Sequence, residues 1–467
     1  MLFPLLSLLF SCTTEHSTPS NNSSTSIGNK PNIVFITMDT TRQDYLGCYG
    51  HDKARTDTID GFSQKGYRFT NAYSSIPLTT PAHASMLTGL YPPHHGIRSN
   101  GDAILPDAIH TLPEILHDAG YQTVAAVSAF VTTKVWNLHQ GFDYYYDDIE
   151  KQHGGRWAQE RPAEDVIDDL LEWNQSLKDS SKPFFMWAHL YDPHHPHIIH
   201  PGYESFENSY DAEIAYMDDQ IERLKKAINI DDSNTIWILL ADHGEAFNGE
   251  HSEKDHGMFL YDETMRIPWI IQPYPALNRE EVVETPISIV DFANTVLGLV
   301  GLDEDPEMDG VNIFKTVHSD PLYMEASVVQ QRFGYHPELA LTDGRMKLMA
   351  TPNPHLYDLI ADPTESRNIY SESEQWNQWA QLGRTLYQEE PKFDLSTPDA
   401  AVLQQLEMLG YMGGSEKGNE LSFYTIDSKD KLSTILELDS IVASKKEGRS
   451  PTELIARFQK LIEEEPQ

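Results

Sequence analysis

The sequence predicts an α/β fold with a mainly parallel sheet sandwiched by helices, and a small antiparallel-sheet subdomain behind it. Two patterns carry the first part. Short apolar runs rich in β-branched residues recur along the first half of the chain, and stretches with helical spacing lie between them. Strands that alternate with helices build βαβ units whose helices cover both faces of a parallel sheet. A change of texture after about residue 309 carries the second part, since the runs there are short and separated only by turns.

Residues 32–38 (NIVFITM) form a continuous apolar run, as a strand buried on both faces requires. Residues 106–120 have helical spacing, with Ile109, Leu112, Ile115 and Leu116 on one face and a stop at Gly120. Residues 123–127 and 183–189 (PFFMWAH) read as the second and third strands. Residues 205–230 read as a long helix with Ile214, Met217, Ile221 and Leu224 as its apolar stripe, and residues 235–241 (TIWILLA) as the fourth strand. Residues 322–326, 339–342, 346–350 and 355–359 predict the small antiparallel sheet. Beyond Gly413 the chain is charged, with Leu454, Ile455, Phe458 and Ile462 at helical spacing.

The chain has 467 residues, 39% hydrophobic and 23% charged, enough apolar material to exclude general disorder. Lys and Arg number 34 against 72 Asp and Glu, a formal net charge of −38. That balance excludes a nucleic-acid backbone as partner, because phosphates demand clustered cations. Residues 1–10 (MLFPLLSLLF) are too short to span a bilayer, which takes ~20 residues. They suit the core of a signal peptide. Leu9-Phe10-Ser11-Cys12 resembles a bacterial lipobox, which implies a lipoprotein-type signal over residues 1–12, a lipid anchor at Cys12 and a place in the cell envelope. The Ser/Thr/Asn-rich residues 13–30 then read as a flexible tether. Cys48 is left as a lone thiol, expected to be a buried filler.

In an open α/β sheet, ligands bind outside the carboxyl ends of the strands. Strand one ends in Asp39. Strand three ends in His189 and runs into Asp192-Pro193-His194-His195-Pro196, and strand four ends in Asp242-His243-Gly244-Glu245. Three strand ends thus bring carboxylates and imidazoles to one edge. Asp39, Asp242 and His243 offer hard oxygens and one borderline nitrogen, a set suited to a single Mn²⁺ or Zn²⁺, with Ca²⁺ a poorer match. Residues 79–89 (TTPAHASMLTG) read as a two-turn helix with Pro81 in its first turn and Gly89 closing it. Thr79 then stands at the helix N-terminus among free N–H groups, where an anion binds well. His83 lies one turn on, on the same face, and Thr80 faces elsewhere.

Four separated motifs resemble the sulfatase family of the alkaline-phosphatase superfamily. They are NIVFITMDTTRQDYLGCYG (32–50), TTPAHASMLTGLYPPHHG (79–96), ADHGEAFNGEH (241–251) and HGMFLYDETMRIPWII (256–271). Weaker matches extend the likeness over about residues 31–414. It implies an alkaline-phosphatase-like α/β/α sandwich: a catalytic domain over 31–310, a C-terminal subdomain over 311–414 and a charged helical tail over 415–467. It also implies a metal-dependent ester hydrolase. The departures are specific. Family members that cleave sulfate esters carry a Cys or Ser, converted to formylglycine, inside Cys-x-Pro-x-Arg. Here Thr79 holds the nucleophile position and His83 the arginine position, and the usual adjacent aspartates are Asp39-Thr40. A threonine cannot yield a formyl group, because its β-carbon bears a methyl. The remaining set, metal ligands Asp39, Thr79, Asp242 and His243, looks like the metal-plus-threonine site of superfamily phosphotransferases and phosphodiesterases.

The resulting expectation is a hydrolase or transferase of phosphate mono- or diesters through a metal-activated Thr79. His83 would help to stabilise developing charge. His194 and His256 would hold the oxyanion or protonate the leaving oxygen, and Asn100 would touch substrate. Asp44, Arg98 and His251 are further candidates, the last for a second metal position. The partner would be a small-molecule, glycan or lipid-headgroup ester. Two rivals are a sulfatase using unmodified threonine and a non-catalytic surface protein that binds an anionic glycan.

Overall fold

The computed structural model describes residues 30–149, 160–176, 181–228, 234–247, 251, 253–409, 421, 424–446 and 449–464. Residues 1–29, which hold the expected signal, Cys12 and nearly all of the tether, lie outside the described residues, as do residues 410–420. Among the described residues, no helix is long and apolar enough to cross a membrane.

The main sheet contains β1 (Asn32–Met38), β2 (Tyr67–Tyr73), β3 (Gln122–Val127), β4 (Tyr144–Tyr146), β5 (Phe184–Leu190), β6 (Thr235–Leu240), β9 (Arg266–Gln272), β10 (Glu281–Val283) and β11 (Ile287–Ser288). Between β6 and β9 a two-residue hairpin, β7 (Ala246–Phe247) and β8 (Lys254–Asp255), stands apart. The strand order is β10-β2-β9-β6-β1-β5-β3-β4, with β11 also on β2. All pairings are parallel except those of β9, which runs antiparallel to β2 and β6. It returns from the carboxyl edge after the short helical turn Asp262–Met265, so its direction is reversed.

The four predicted strands form within a residue or two of their expected ends. β1, β5 and β6 are buried along their whole length, which is why their sequences are continuously apolar rather than alternating. Along β1, Ile33 and Phe35 enter one core and Val34, Ile36 and Met38 the other. The first core lies under the helices Thr79–Thr88, Leu112–Asp118 and Phe292–Leu299. The second lies under Asp57–Ser63, Ala163–Ser176 and Ser209–Ile228. The helix expected over 106–120 is restricted to Leu112–Asp118. Thr111 and Glu114 form a capping box that fixes its start, although Ile109 is still buried ahead of it. In Ser209–Ile228 all four residues of the expected stripe are buried. Cys48 is half-buried against the second core, where burial and then Asp60 push its thiol well up, so it is an inert filler.

The small sheet is an antiparallel meander of β12 (Leu322–Ala326), β13 (Glu338–Thr342), β14 (Met346–Met349) and β15 (His355–Asp358). It is covered on one side by the helix Glu374–Tyr387, through Ala380 and Tyr387. It abuts the main sheet at the functional edge: the Glu325 N–H donates to the Ser75 carbonyl at 3.0 Å. In the tail, Leu432–Lys446 sends Ile435 into the small sheet's core, whereas Ile455 and Phe458 of Pro451–Glu464 are exposed.

Candidate active site

The site is assembled where the adjacent strands β1 and β6 end. Asp39 follows β1 and is fully buried. The next residue, Thr40, has φ +50°, a left-handed conformation a β-branched residue adopts only under constraint. The kink points the Thr40 N–H at Asp242 Oδ1, 3.2 Å away. Beyond β6, the His243 N–H donates to the same oxygen at 2.9 Å. Gly244 then passes so close to the Glu263 backbone that a Cβ would lie 2.2 Å from its carbonyl oxygen, so no other residue fits. His243 Nδ1 donates to the Gly244 carbonyl at 3.0 Å. Its Nε2 lone pair therefore faces inward, 3.4 Å from Asp242 Oδ2 and 3.5 Å from Thr79 Oγ1.

Donor atoms of Asp39, Asp242 and His243 all lie within 4.8 Å of one another. Asp39 Oδ1 and Asp242 Oδ2 are buried and accept no hydrogen bond. Leaving carboxylate oxygens so exposed to a low dielectric is costly unless something cationic meets them. Burial, and then the charge of Asp242, hold the Asp39 carboxyl well above its usual range. Burial would raise Asp242 too, but His243, His83 and His189 outweigh it and keep this carboxyl low. Two converging carboxylates and a bare imidazole nitrogen fit a divalent cation that prefers mixed oxygen and nitrogen donors.

Thr79 is the first residue of Thr79–Thr88, with Leu78 as N-cap. The sequence reading of several free N–H groups there needs correction. The Thr80 N–H donates to Asn100 Oδ1 at 2.9 Å, Pro81 has none, and the Ala82 N–H closes on the Leu78 carbonyl at 3.0 Å. Among the described residues the Thr79 N–H has no hydrogen bond to another segment. Asn100 is thereby oriented, and its Nδ2 is buried without a partner, a donor available to substrate. Thr80 does not face solvent: it is fully buried and donates through Oγ1 to the Val131 carbonyl at 2.7 Å.

His83 also departs from expectation. Its Nδ1 donates to the Thr79 carbonyl at 2.8 Å, and burial, outweighing Asp242, keeps its pKa below the ordinary histidine value. A neutral ring so tied presents a lone pair at Nε2, so it orients Thr79 rather than donating to an oxyanion. His256 is the contrasting ring. Its Nδ1 is 3.1 Å from Oε1 of the buried Glu245. Burial alone would lower its pKa, but Glu245 raises it. The His256 ring lies 4.4 Å from that of His243 and 5.1 Å from that of His194. His194 is the opposite case. Its Nδ1 donates to the His195 carbonyl at 2.6 Å, its Nε2 is buried without a partner, and burial and His256 hold it well below the usual range.

Three candidates fall outside the site. The Asp44 carboxylate is exposed and pairs with Arg42. Arg98 reaches the small sheet, donating to the Tyr387 carbonyl at 2.7 Å and lying 3.6 Å from Glu325. His251 stacks on Tyr261 and hydrogen-bonds the Thr364 carbonyl, so it supplies no second metal position beside Asp242. Conversely, residue spacing gave no role to Glu245, to Thr40, whose Oγ1 is buried and unpartnered, or to His189 beyond its place at a strand end. His189 Nδ1 accepts the Ser128 N–H at 3.3 Å, which puts its proton on Nε2, facing Asp39 Oδ2 at 3.2 Å.

The sulfatase family profile matches residues 31–302, more than half of the chain. This chain belongs to the sulfatase family. A second profile, the C-terminal region of N-sulphoglucosamine sulphohydrolase, matches residues 249–392. The chain is similar to an ulvan-active sulfatase of Formosa agariphila, 27% identical over 74% of this chain and 78% of the relative. An uncharacterized sulfatase of Escherichia coli is 24% identical over 73% and 83%. Among solved structures, the phosphonate monoester hydrolase of Agrobacterium radiobacter superposes with a TM-score of 0.62 at 19% identity, over 76% of this chain and 94% of that one. A protein solved with its substrate D-glucosamine-2-N,6-O-disulfate gives 0.61 at 20%, over 76% and 97%. As a sulfatase-family protein the chain is an ester hydrolase acting on sulfuric or phosphoric esters, and its family generally uses a divalent metal, for which Asp39, Asp242 and His243 are the candidate ligands.

Proposed function

We propose that this sulfatase-family protein hydrolyses phosphate mono- or diesters with Thr79 as nucleophile. The observation that carries the reading is the hydroxyl of Thr79 itself. It stands where the family motif has its nucleophile, lies 3.5 Å from His243 Nε2, and acts on the carboxyl of Asp39, one of the two residues whose buried carboxylate oxygens are orphaned. A divalent metal, Mn²⁺ or Zn²⁺, held by Asp39, Asp242, His243 and Thr79 would act as a Lewis acid, lowering the hydroxyl's pKa and offsetting charge on the ester.

The chain's own groups supply the remaining chemistry. His83 fixes the Thr79 backbone through its carbonyl. The Thr79 N–H and Asn100 Nδ2 are donors for the non-bridging oxygens of the ester. Thr79 Oγ1 enters ionised, its proton having passed to solvent, and His256, held by Glu245, delivers a proton from Nε2 to the departing oxygen as the P–O bond breaks and the bond from Oγ1 to phosphorus forms. Water then releases phosphate from Thr79, and its proton returns to a ring nitrogen of the His194–His256 pair. The structural neighbour named as a phosphonate monoester hydrolase supports phosphorus as the reacting centre.

A second reading, cleavage of a glycan sulfate by unmodified threonine, draws support from the ulvan-active relative and the neighbour bound to a sulfated glucosamine. Parallel assays with aryl phosphate, aryl phosphodiester and aryl sulfate on metal-loaded protein separate the two. Turnover of the phosphorus esters is expected to dominate. Robust sulfate release with neither phosphorus activity would replace the first reading by the second. The buried, convergent site opposes a merely glycan-binding role.

A further inference from the structure

A second cluster of ligand-type side chains lies away from Asp39 and Thr79. Asp192 follows β5, His200 ends the loop that begins there, and Glu213 lies on the first turns of Ser209–Ile228. His200 Nε2 is 3.3 Å from Glu213 Oε2 and 3.8 Å from Asp192 Oδ1. One donor atom from each residue falls within 4.8 Å of the others. Glu213 is 1% exposed, yet neither of its carboxylate oxygens accepts a hydrogen bond, and Asp192 Oδ2, on a side chain also 1% exposed, accepts none.

The surroundings are acidic. Glu160 is pushed up to about 8 by burial and then by Asp192 and Glu213. Arg161, the nearby cation in sequence, turns to Asp169 at 2.6 Å. Among the described residues the cation facing these two buried carboxylates is His200, whose pKa Glu213 and Asp192 raise although burial opposes it; one imidazolium leaves the pair net negative, and a divalent ion bound to the neutral ring would balance both carboxylates.

We propose that Asp192, His200 and Glu213 form a second divalent-metal site, structural in role, that clamps the loop carrying His194. The donor set, two oxygens and one nitrogen, suits Zn²⁺ or Mn²⁺ above Ca²⁺. The position gives the site its purpose. Asp192 and His200 bracket residues 193–199, within which His194 faces His256. Asp192 Oδ1 also accepts the Ala163 N–H at 3.0 Å, at the start of Ala163–Ser176, and Glu213 lies on the following long helix. A cation here ties both ends of the loop to the helices Ala163–Ser176 and Ser209–Ile228.

The test is metal stoichiometry. Full-length protein is stripped with chelator, reloaded with Zn²⁺ alone, freed of excess by gel filtration and analysed for zinc. Wild type is expected to keep two equivalents. Asp242→Ala and Glu213→Gln should each lose one, and the double variant both. Glutamine preserves the volume of Glu213 and its contact with His200. Should Glu213→Gln not fold, His200→Asn, on the partly exposed loop, gives the same readout. A single wild-type equivalent that vanishes with Asp242→Ala overturns the proposal, as does an unchanged zinc content in the folded Glu213→Gln or His200→Asn protein.

Discussion

His189 touches no substrate, yet its replacement by phenylalanine should weaken metal binding. The ring is fully buried between two partners: Nδ1 accepts the Ser128 N–H and Nε2–H donates to Asp39 Oδ2. Phenylalanine keeps the ring and its packing beside Trp187 and His83, and removes both bonds. An orphaned buried donor or acceptor costs about 1–3 kcal/mol. With the Ser128 N–H and Asp39 Oδ2 both stranded, the loss of folding stability should be ~2–6 kcal/mol. Removing the partner that orients a ligand typically costs 10–100-fold in metal affinity, which is ~1.4–2.7 kcal/mol. Denaturant unfolding measures the first quantity, and competition with a chromophoric chelator the second. His189→Gln, whose side-chain amide can still donate toward Asp39, should recover part of the affinity. A folded His189→Phe protein with wild-type metal affinity would refute the positioning role.

Three further outcomes are expected. Thr80→Ala should lower stability by ~1–2 kcal/mol in denaturant unfolding, because the buried Val131 carbonyl loses its donor. Arg98→Met strips the buried Glu325 of its cation and should cost ~3–5 kcal/mol, with Arg98→Met/Glu325→Met recovering much of it. The His94 ring is held between Asp309 and Glu389, and the Asp309 hydrogen bond, ahead of its charge, raises its pKa above 6.5. A raised histidine pKa stabilises the fold fully below the unfolded value and ceases to do so as pH climbs through the folded one. His94→Gln should therefore destabilise by ~1–2 kcal/mol at pH 6, by charge-assisted hydrogen bonding, and little at pH 9. An equal loss at both pH values would exclude the ionic contribution.

Much of the molecule could be read from the letters because buried parallel strands write themselves as unbroken apolar runs. NIVFITM is β1 residue for residue, and Asp39 follows it as the first polar residue at the sheet's edge. β2 and β9 were harder to see. YRFTNAY mixes polar and apolar residues, and RIPWIIQ gives no sign in its composition that it runs against its neighbours. In the site, residues at strand ends and at the Thr-Thr-Pro helix start were legible because local chain position determines where they point. The roles of His83, His189 and Glu245 depend on which ring nitrogen meets which oxygen, which residue order does not show: the His83 partner is a carbonyl four residues back, and the His189 partner, Asp39, lies 150 residues away. His251 and Arg98 mislead because each lies in or just beyond a motif near the site, but its partner, Thr364 or Glu325, belongs to the C-terminal subdomain.

The central claim is that Thr79 carries the reaction. The most direct measurement is rapid acid quench of metal-loaded protein mixed with excess aryl phosphate, followed by peptide mapping for covalent phosphate. The account predicts phosphate on Thr79, a residual but measurable rate in Thr79→Ser with the label moved to that serine, and neither label nor turnover in a folded Thr79→Ala protein. Replacing the side chain at the first helical position, with Leu78 as the cap, should cost no more than about 1 kcal/mol of stability. Full activity in Thr79→Ala, or steady turnover of aryl phosphate with the covalent label on another residue, would contradict it.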